Sequence, residues 1–285
     1  MRMALLALAL FGVAGPAAAR DIGACRFDPE MQAFAGGPLE QAKCLLRPVA
    51  KFGRVQRQPA EIPPVLADLI GKAVALDRAK LAARLSADGV GGQLARLDAP
   101  VSKGHDNAPD APSARYFVIH DTSSPWFGNQ AFPPDVEDSD TVNRLEGFAG
   151  PNAVAHVFVN RRGELLVGHD FSQPWRATKL ESQAIGVPAK GLFLHAEFVQ
   201  PRRRDPQGGS RNDAIAISPG LSEPQYRRLA LLYALASARA GRWLIPAFHA
   251  ALDEGLSDAH DDPQNFEIAR FGTAMTTLLA DLSRP

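Results

Sequence analysis

The chain has 285 residues, of which 46% are hydrophobic and 22% charged, with 31 Lys+Arg against 31 Asp+Glu. A formal charge of zero leaves no global basic field to hold nucleic acid, and the ordinary apolar fraction without long charge blocks excludes a disordered chain. Gly (24) and Pro (23) indicate a loop-rich globular protein, not a low-complexity one. At the start of the chain, Arg2 is followed by an almost wholly apolar run from Met3 to Val13. Gly15-Pro16 breaks that run, and Ala17-Ala18-Ala19 offers the small residues a signal peptidase accepts.

The apolar run falls short of the roughly 20 residues a permanent membrane span needs. Residues 1–19 therefore read as a secretory signal cut after Ala19, with a retained membrane anchor as the alternative. The mature chain is then expected to be exported, to the periplasm or beyond the cell, and free of the membrane. Export changes how the two cysteines read: Cys25 and Cys44 are the only pair, and in an oxidising compartment a disulfide between them is the default. The rival is a lipobox at Ile22-Gly23-Ala24-Cys25, against which Arg20 and Asp21 separate the Cys from the apolar run.

Residues 20–112 read as a mostly helical extension with a linker. Pro63-Pro64 opens a helical pattern in which Val65, Leu66, Leu69, Ile70, Ala73 and Val74 recur at helix spacing, continued by Leu81 and Leu85 until Gly89-Val90-Gly91-Gly92. Lys103 to Ser113 is polar with two prolines and reads as the linker, His105 being a solvated loop residue. From 113 to 285 the pattern is α/β: a mixed central β-sheet flanked by helices. Arg115 to His120 (RYFVIH) is a strand that ends in Asp121-Thr122-Ser123. Val154 to Asn160 and Glu164 to Gly168 form a hairpin across Arg161-Arg162-Gly163, and Leu192 to Val199 is a further strand. Ser222-Glu223-Pro224-Gln225 is a capping box that launches a helix through Arg239. Ile245 to Phe248 is a short strand leading into His249, and a last helix spans about Pro263 to Leu282.

His120 and His249 both stand at the C-terminal ends of strands, where an α/β sheet exposes functional side chains. His260-Asp261-Asp262-Pro263 follows. Two imidazoles and one carboxylate are a sufficient set for a catalytic zinc, with a fourth position left for water. Neither Gly-x-Ser-x-Gly nor His-Glu-x-x-His occurs, and both cysteines lie far in sequence from the histidines.

Six pieces come in a particular order: Tyr116-Phe-Val-Ile-His-Asp-Thr-Ser123, Ala155-His-Val-Phe-Val-Asn-Arg-Arg-Gly-Glu164, Leu194-His-Ala-Glu-Phe198, Ser222-Glu-Pro-Gln-Tyr226, Ile245-Pro-Ala-Phe-His249 and Asp262-Pro-Gln-Asn-Phe266. Over about residues 114 to 275 this resembles the zinc-dependent N-acetylmuramoyl-L-alanine amidases of the phage-lysozyme and peptidoglycan-recognition-protein superfamily. The resemblance implies Zn2+ held by His120, His249 and Asp262, and peptidoglycan or muropeptide as substrate. It implies Glu197 as the catalytic carboxylate, and it puts His260 where many members carry a Lys that stabilises an oxyanion. It also sets His156 near the metal without ligating it, and it puts Trp175-Arg176 where other members have Trp-His, so that Arg176 either contacts a substrate carboxylate or lactyl group or pairs with an acid. Asp121 replaces the second His of the family's Ile-His-His-Thr, and Ala155 replaces a Tyr, which moves the base role onto Glu197.

Other readings of the same residues stand beside this one. Glu197 can instead pair with Arg202, Arg203 or Arg204, and His195, on the same strand face as Glu197 by alternation, either approaches the site or packs in the sheet. His156 either contacts substrate or supports the ligands, and His169 is expected to be structural. A non-catalytic peptidoglycan-binding protein on the same fold, or a zinc peptidase acting on the stem peptide, are the alternative functions.

Overall fold

Tyr116–Asp121 (β1) is buried along its whole length, as expected of a strand covered on both sides. In the computed structural model, which describes residues 22–50, 54–208 and 214–284, it is joined by Val157–Val159 (β2), Leu165–Val167 (β3), Phe193–Phe198 (β4) and Ile245–Phe248 (β5). The five form one sheet in the order β5-β1-β4-β2-β3, parallel except for the β2–β3 hairpin. The fold is thus the expected α/β arrangement, a mixed central sheet flanked by helices. The signal-sequence reading lies outside the described residues. Among those residues, no helix is long and apolar enough to cross a membrane.

The helices are Pro38–Leu45 (α1), Pro64–Leu69 (α2), Arg78–Ala87 (α3), Glu223–Ala240 (α4), His249–Asp253 (α5) and Ile268–Ser283 (α6). The capping box that begins α4 is complete: Ser222 Oγ accepts the Gln225 N–H at 3.2 Å and Gln225 Oε1 accepts the Ser222 N–H at 3.0 Å. The Gln225 amide also donates to the carbonyls of Val159 and Val199, so the same residue fastens the helix to the ends of β2 and β4.

Two expectations change. The single helical pattern from Pro63 breaks after Leu69, because Gly71 sits at φ +79 with Pro38 packed where a side chain would be and its N–H bonded to the Trp243 carbonyl. A separate helix starts at Asp77, whose carboxylate caps the N–H groups of Ala79 and Lys80. The last helix begins at Ile268, not Pro263, since Asp262 to Phe266 turn inward to serve the site. The stretch read as a linker closes on itself, with Lys103 bridged to Ser113 and the Gly104 N–H on the Pro112 carbonyl.

The sheet's two faces have different neighbours. Phe117 points to the α4 side, its ring edge-on to Tyr233 at 5.7 Å. Tyr116 and Phe193 point the other way and meet the extension: Phe34 lies edge-on to Tyr116 at 5.2 Å and to Phe27 at 5.1 Å, while Tyr116 stacks on Phe193 at 4.9 Å. The Tyr116 hydroxyl accepts the Phe34 N–H and donates to the Gln41 side chain. The disulfide joins Cys25 to Cys44 and holds this covering layer together. The extension therefore fills the first half of the sheet face whose second half carries the histidines.

Candidate metal centre

Register places the chemistry. In the parallel pairing of β1 with β4, His120 lies opposite Glu197 and Val118 opposite His195. Side chains on matched positions of adjacent strands share a face, so His120, His195 and Glu197 all point away from α4. Phe248 of β5 pairs with Ile119, and the next residue, His249, opens α5 at the level of His120. The loop after α5 returns Asp262 to the same point.

His120, His249 and Asp262 converge there, all buried, as a group able to hold a metal ion. Nδ1 of His120 lies 2.9 Å from Nδ1 of His249, and His249 Nδ1 lies 3.1 Å from Asp262 Oδ1. His120 Nδ1 to Asp262 Oδ2 is 3.6 Å. Donors bound at 2.0–2.2 Å to one tetrahedral ion stand roughly 3.3–3.6 Å apart, so the longest of these spacings matches a shared centre and the two that involve His249, at 2.9 and 3.1 Å, would open by a few tenths of an ångström to admit one. Glu197 Oε1 is 3.8 Å from His120 Nδ1, and its other oxygen is buried with no hydrogen-bond partner. That orphan acceptor fits a site built to receive a proton donor such as water beside a metal ion.

Electrostatics follow from burial and proximity. Burial, reinforced by the neighbouring His249, holds His120 well below the usual histidine range, so it is a neutral ligand. Burial also opposes charge on His249, but Asp262 and Asp253 outweigh it and raise that ring well above its usual range. Asp262 moves the opposite way, held down by His249 against its own burial, as befits the other half of an ion pair. Burial and the adjacent Asp262 push Glu197 well above the usual carboxylate range. A carboxyl with a raised pKa beside a divalent-ion site can take up a proton and release it.

The remaining expected residues fall as follows. His260 is half exposed at the cavity mouth, its ring 4.3 Å from that of His249 and its Nδ1 3.7 Å from Asp262 Oδ1. Arg176 lines the same cavity and makes no contact with the three ligands. His156 does not reach the cavity: its Nδ1 accepts the His195 backbone N–H at 3.0 Å and its Nε2 bonds the Gln173 carbonyl, so it supports His195 from behind. Burial takes it down to about 3, leaving it neutral. His195 is the packed histidine that also approaches the site, with Nδ1 3.0 Å from His120 Nε2. Among the described residues, Glu197 is not paired with Arg202. Arg202 instead grips Asp121 through two bonds of 2.8 and 3.0 Å and reaches Asp261 at 3.3 Å. His169 bonds the Ala153 carbonyl and stacks on Trp175 at 4.0 Å, as a structural residue.

Sequence reasoning missed Glu181 and Asp253. Both left a signal: Asp253 is four residues after His249 on a helix, hence on the same face, and Thr178-x-x-Glu181 is a capping box, with Glu181 accepting the Thr178 N–H and Thr178 Oγ1 accepting the Glu181 N–H.

A cavity of 470 Å³ opens onto the metal centre, lined on the apolar side by Phe148, Val154, Phe158 and Trp175 and on the polar side by Glu197, His249, His260 and Asp262. No protein-family profile and no curated protein matches the sequence. Among solved structures, a selenomethionine derivative of AmpD is similar, at 19% identity and a TM-score of 0.35, covering 62% of this chain and 94% of that one. The reading of the site rests on its own geometry.

Proposed function

We propose that the protein is a zinc-dependent hydrolase that cleaves the amide between N-acetylmuramic acid and L-alanine in peptidoglycan or muropeptides. The observation that carries this reading is the convergence of His120, His249 and Asp262 beside the unpaired Glu197 oxygen, on the floor of an open cavity. One carboxylate and two imidazoles, His249 giving up its proton as metal binds, would leave a zinc ion net positive, and such an ion would supply Lewis acidity to a scissile carbonyl and acidify an attacking water toward about pH 7.

The chain's own residues do the rest. Glu197, ionised once a cation sits beside it, takes the water's proton and hands it to the leaving amine, for which its unpaired oxygen and its place 3.8 Å from His120 suit it. His260, at the mouth, donates an N–H toward the developing oxyanion. Arg176 lines the cavity, where a lactyl or peptide carboxylate is the group a guanidinium binds best. Phe148, Phe158 and Trp175 give the apolar part of the substrate a surface, and a cavity of 470 Å³ falls within the ordinary range for a small ligand. The first 19 residues direct the chain out of the cytoplasm, where wall polymer and released muropeptides are within reach.

Mass spectrometry of peptidoglycan digested with the zinc-loaded protein tests this. Amidase action releases stem peptides bearing a free L-alanine amine. Products that keep L-alanine on the sugar would assign a peptidase instead, and wall binding without products would assign a binding protein.

A further inference from the structure

Each ligand imidazole is backed, on the side away from the cavity, by a buried carboxylate that has a second task. His249 Nε2 lies 3.0 Å from Asp253 Oδ2. The same carboxylate accepts the N–H of Lys179 at 3.1 Å and of Leu180 at 2.9 Å. His120 Nε2 is relayed through His195, whose Nε2 lies 3.3 Å from Glu181 Oε2. That oxygen in turn accepts the N–H groups of Ala177 and Thr178, each at 3.1 Å, and the Thr178 hydroxyl at 3.0 Å. Asp253, Glu181 and His195 are all fully buried.

Both lines of contact thus end on one segment, residues 177–181. Ala177, Thr178 and Lys179 of that segment form a wall of the cavity. The outer nitrogens of His195 and His249 stand close to their carboxylates but off the hydrogen-bond line. Their alignment depends on how the rings are turned. An imidazole bound to a metal through Nδ1 has its ring plane and its Nε2–H direction fixed, and a carboxylate behind it then becomes a strong acceptor.

We infer that Asp253, and Glu181 acting through His195, are positioning residues that couple metal binding to the order of the substrate wall at 177–180. Metal on the inner nitrogens sets the rings, the rings hold the two carboxylates, and the carboxylates hold the backbone against which substrate lies. The inference rests on the metal reading of His120, His249 and Asp262. Because coupling is reciprocal, loosening the wall weakens metal binding by the same factor by which metal tightens the wall.

The test is backbone hydrogen exchange of the mature chain with and without zinc, together with zinc affinity by chelator competition, for wild type, Glu181→Gln and Asp253→Asn. Gln keeps an acceptor for the 177–178 amides, so the first variant removes charge more than it removes the cap. Zinc is expected to slow exchange at residues 177–180 by roughly 10-fold in the wild type. Both variants should lose that zinc-dependent protection and bind zinc about 10–100-fold more weakly. A merely structural role would lower global stability and leave zinc affinity unchanged. Zinc uptake without any change at 177–180, or wild-type affinity in both variants, overturns the inference. Should a variant fail to fold, the wild-type exchange with and without zinc decides alone. A wild-type chain that takes up no zinc contradicts the metal reading itself, a result distinct from zinc bound with an unaltered wall.

Discussion

The site's division of labour is set by single residues whose environments differ over a few ångströms. His120 and Glu197 face each other across two strands, yet burial keeps the first a neutral nitrogen donor while the second keeps a buried, unpaired oxygen with which to exchange a proton. Glu197→Gln should therefore keep bound zinc and lose turnover by roughly 10²–10⁴-fold, the worth of a positioned acid–base group. Steady-state kinetics on a soluble muropeptide, with metal content measured on the same sample, checks this; near-full activity would remove Glu197 from the role of base. The three residues that converge were singled out in the sequence by the resemblance to a family; His120 and His249 at strand ends and Asp262 before a proline would not have done so by position alone. For Glu181 the sequence offered the capping box with Thr178 but not the pairing with His195, which is 14 residues away and meets it only when β4 is laid beside the 177–181 segment. Arg202 misled for the same reason: proximity to Glu197 in sequence said nothing about Asp121, which sequesters it across the sheet.

At the scale of elements, the strands and α4 followed their local signals, whereas two boundaries were moved by tertiary demands. Helix periodicity could not reveal that Gly71 must pass under Pro38, or that residues 262–266 are held in a loop by bonds such as the Gln264 N–H to Asp121 at 3.2 Å. The C-terminal turn of α4 shows how an element end is secured. Arg239 spends its donors on the carbonyls of Leu94, Ala99 and Pro100 and on both oxygens of Asp170, at 2.7 and 3.0 Å. Burial alone would raise the Asp170 pKa, but Arg239 and Ser172 outweigh it and lower it to about 2. A carboxylate depressed on folding stabilises above its unfolded pKa near 3.9 and loses that contribution as pH falls toward its folded value. Asp170→Asn should thus cost about 1 kcal/mol at pH 7, allowing for solvent screening of a partly exposed pair, with the gap to wild type narrowing below about pH 4. Urea unfolding of both proteins from pH 7 to pH 3 measures it; a gap independent of pH would mean that charge is not what the pair contributes.

For the molecule as a whole, the N-terminal extension is part of the wall that completes the site-bearing face. Its helical stretch from Pro63 to Leu85 could be read from periodicity, but not α1, nor that Phe27 and Phe34 roof Tyr116 and Phe193, because aromatic residues in short irregular segments carry no period. The disulfide between Cys25 and Cys44 closes a loop of 19 residues, which restricts the unfolded chain. Replacing both cysteines by serine should lower stability by about 2–4 kcal/mol in denaturant unfolding while leaving zinc binding intact, since neither sulfur approaches the centre. A double variant of unchanged stability would show that packing alone holds the extension. The central claim is that three residues distant in sequence, His120, His249 and Asp262, form one metal centre. Its most direct test is the metal content of the purified protein after zinc loading and removal of free metal, set against Asp262→Ala. One zinc per wild-type chain and none in the variant is the expected result; a zinc-free wild type, or a variant that keeps its full complement, would contradict it.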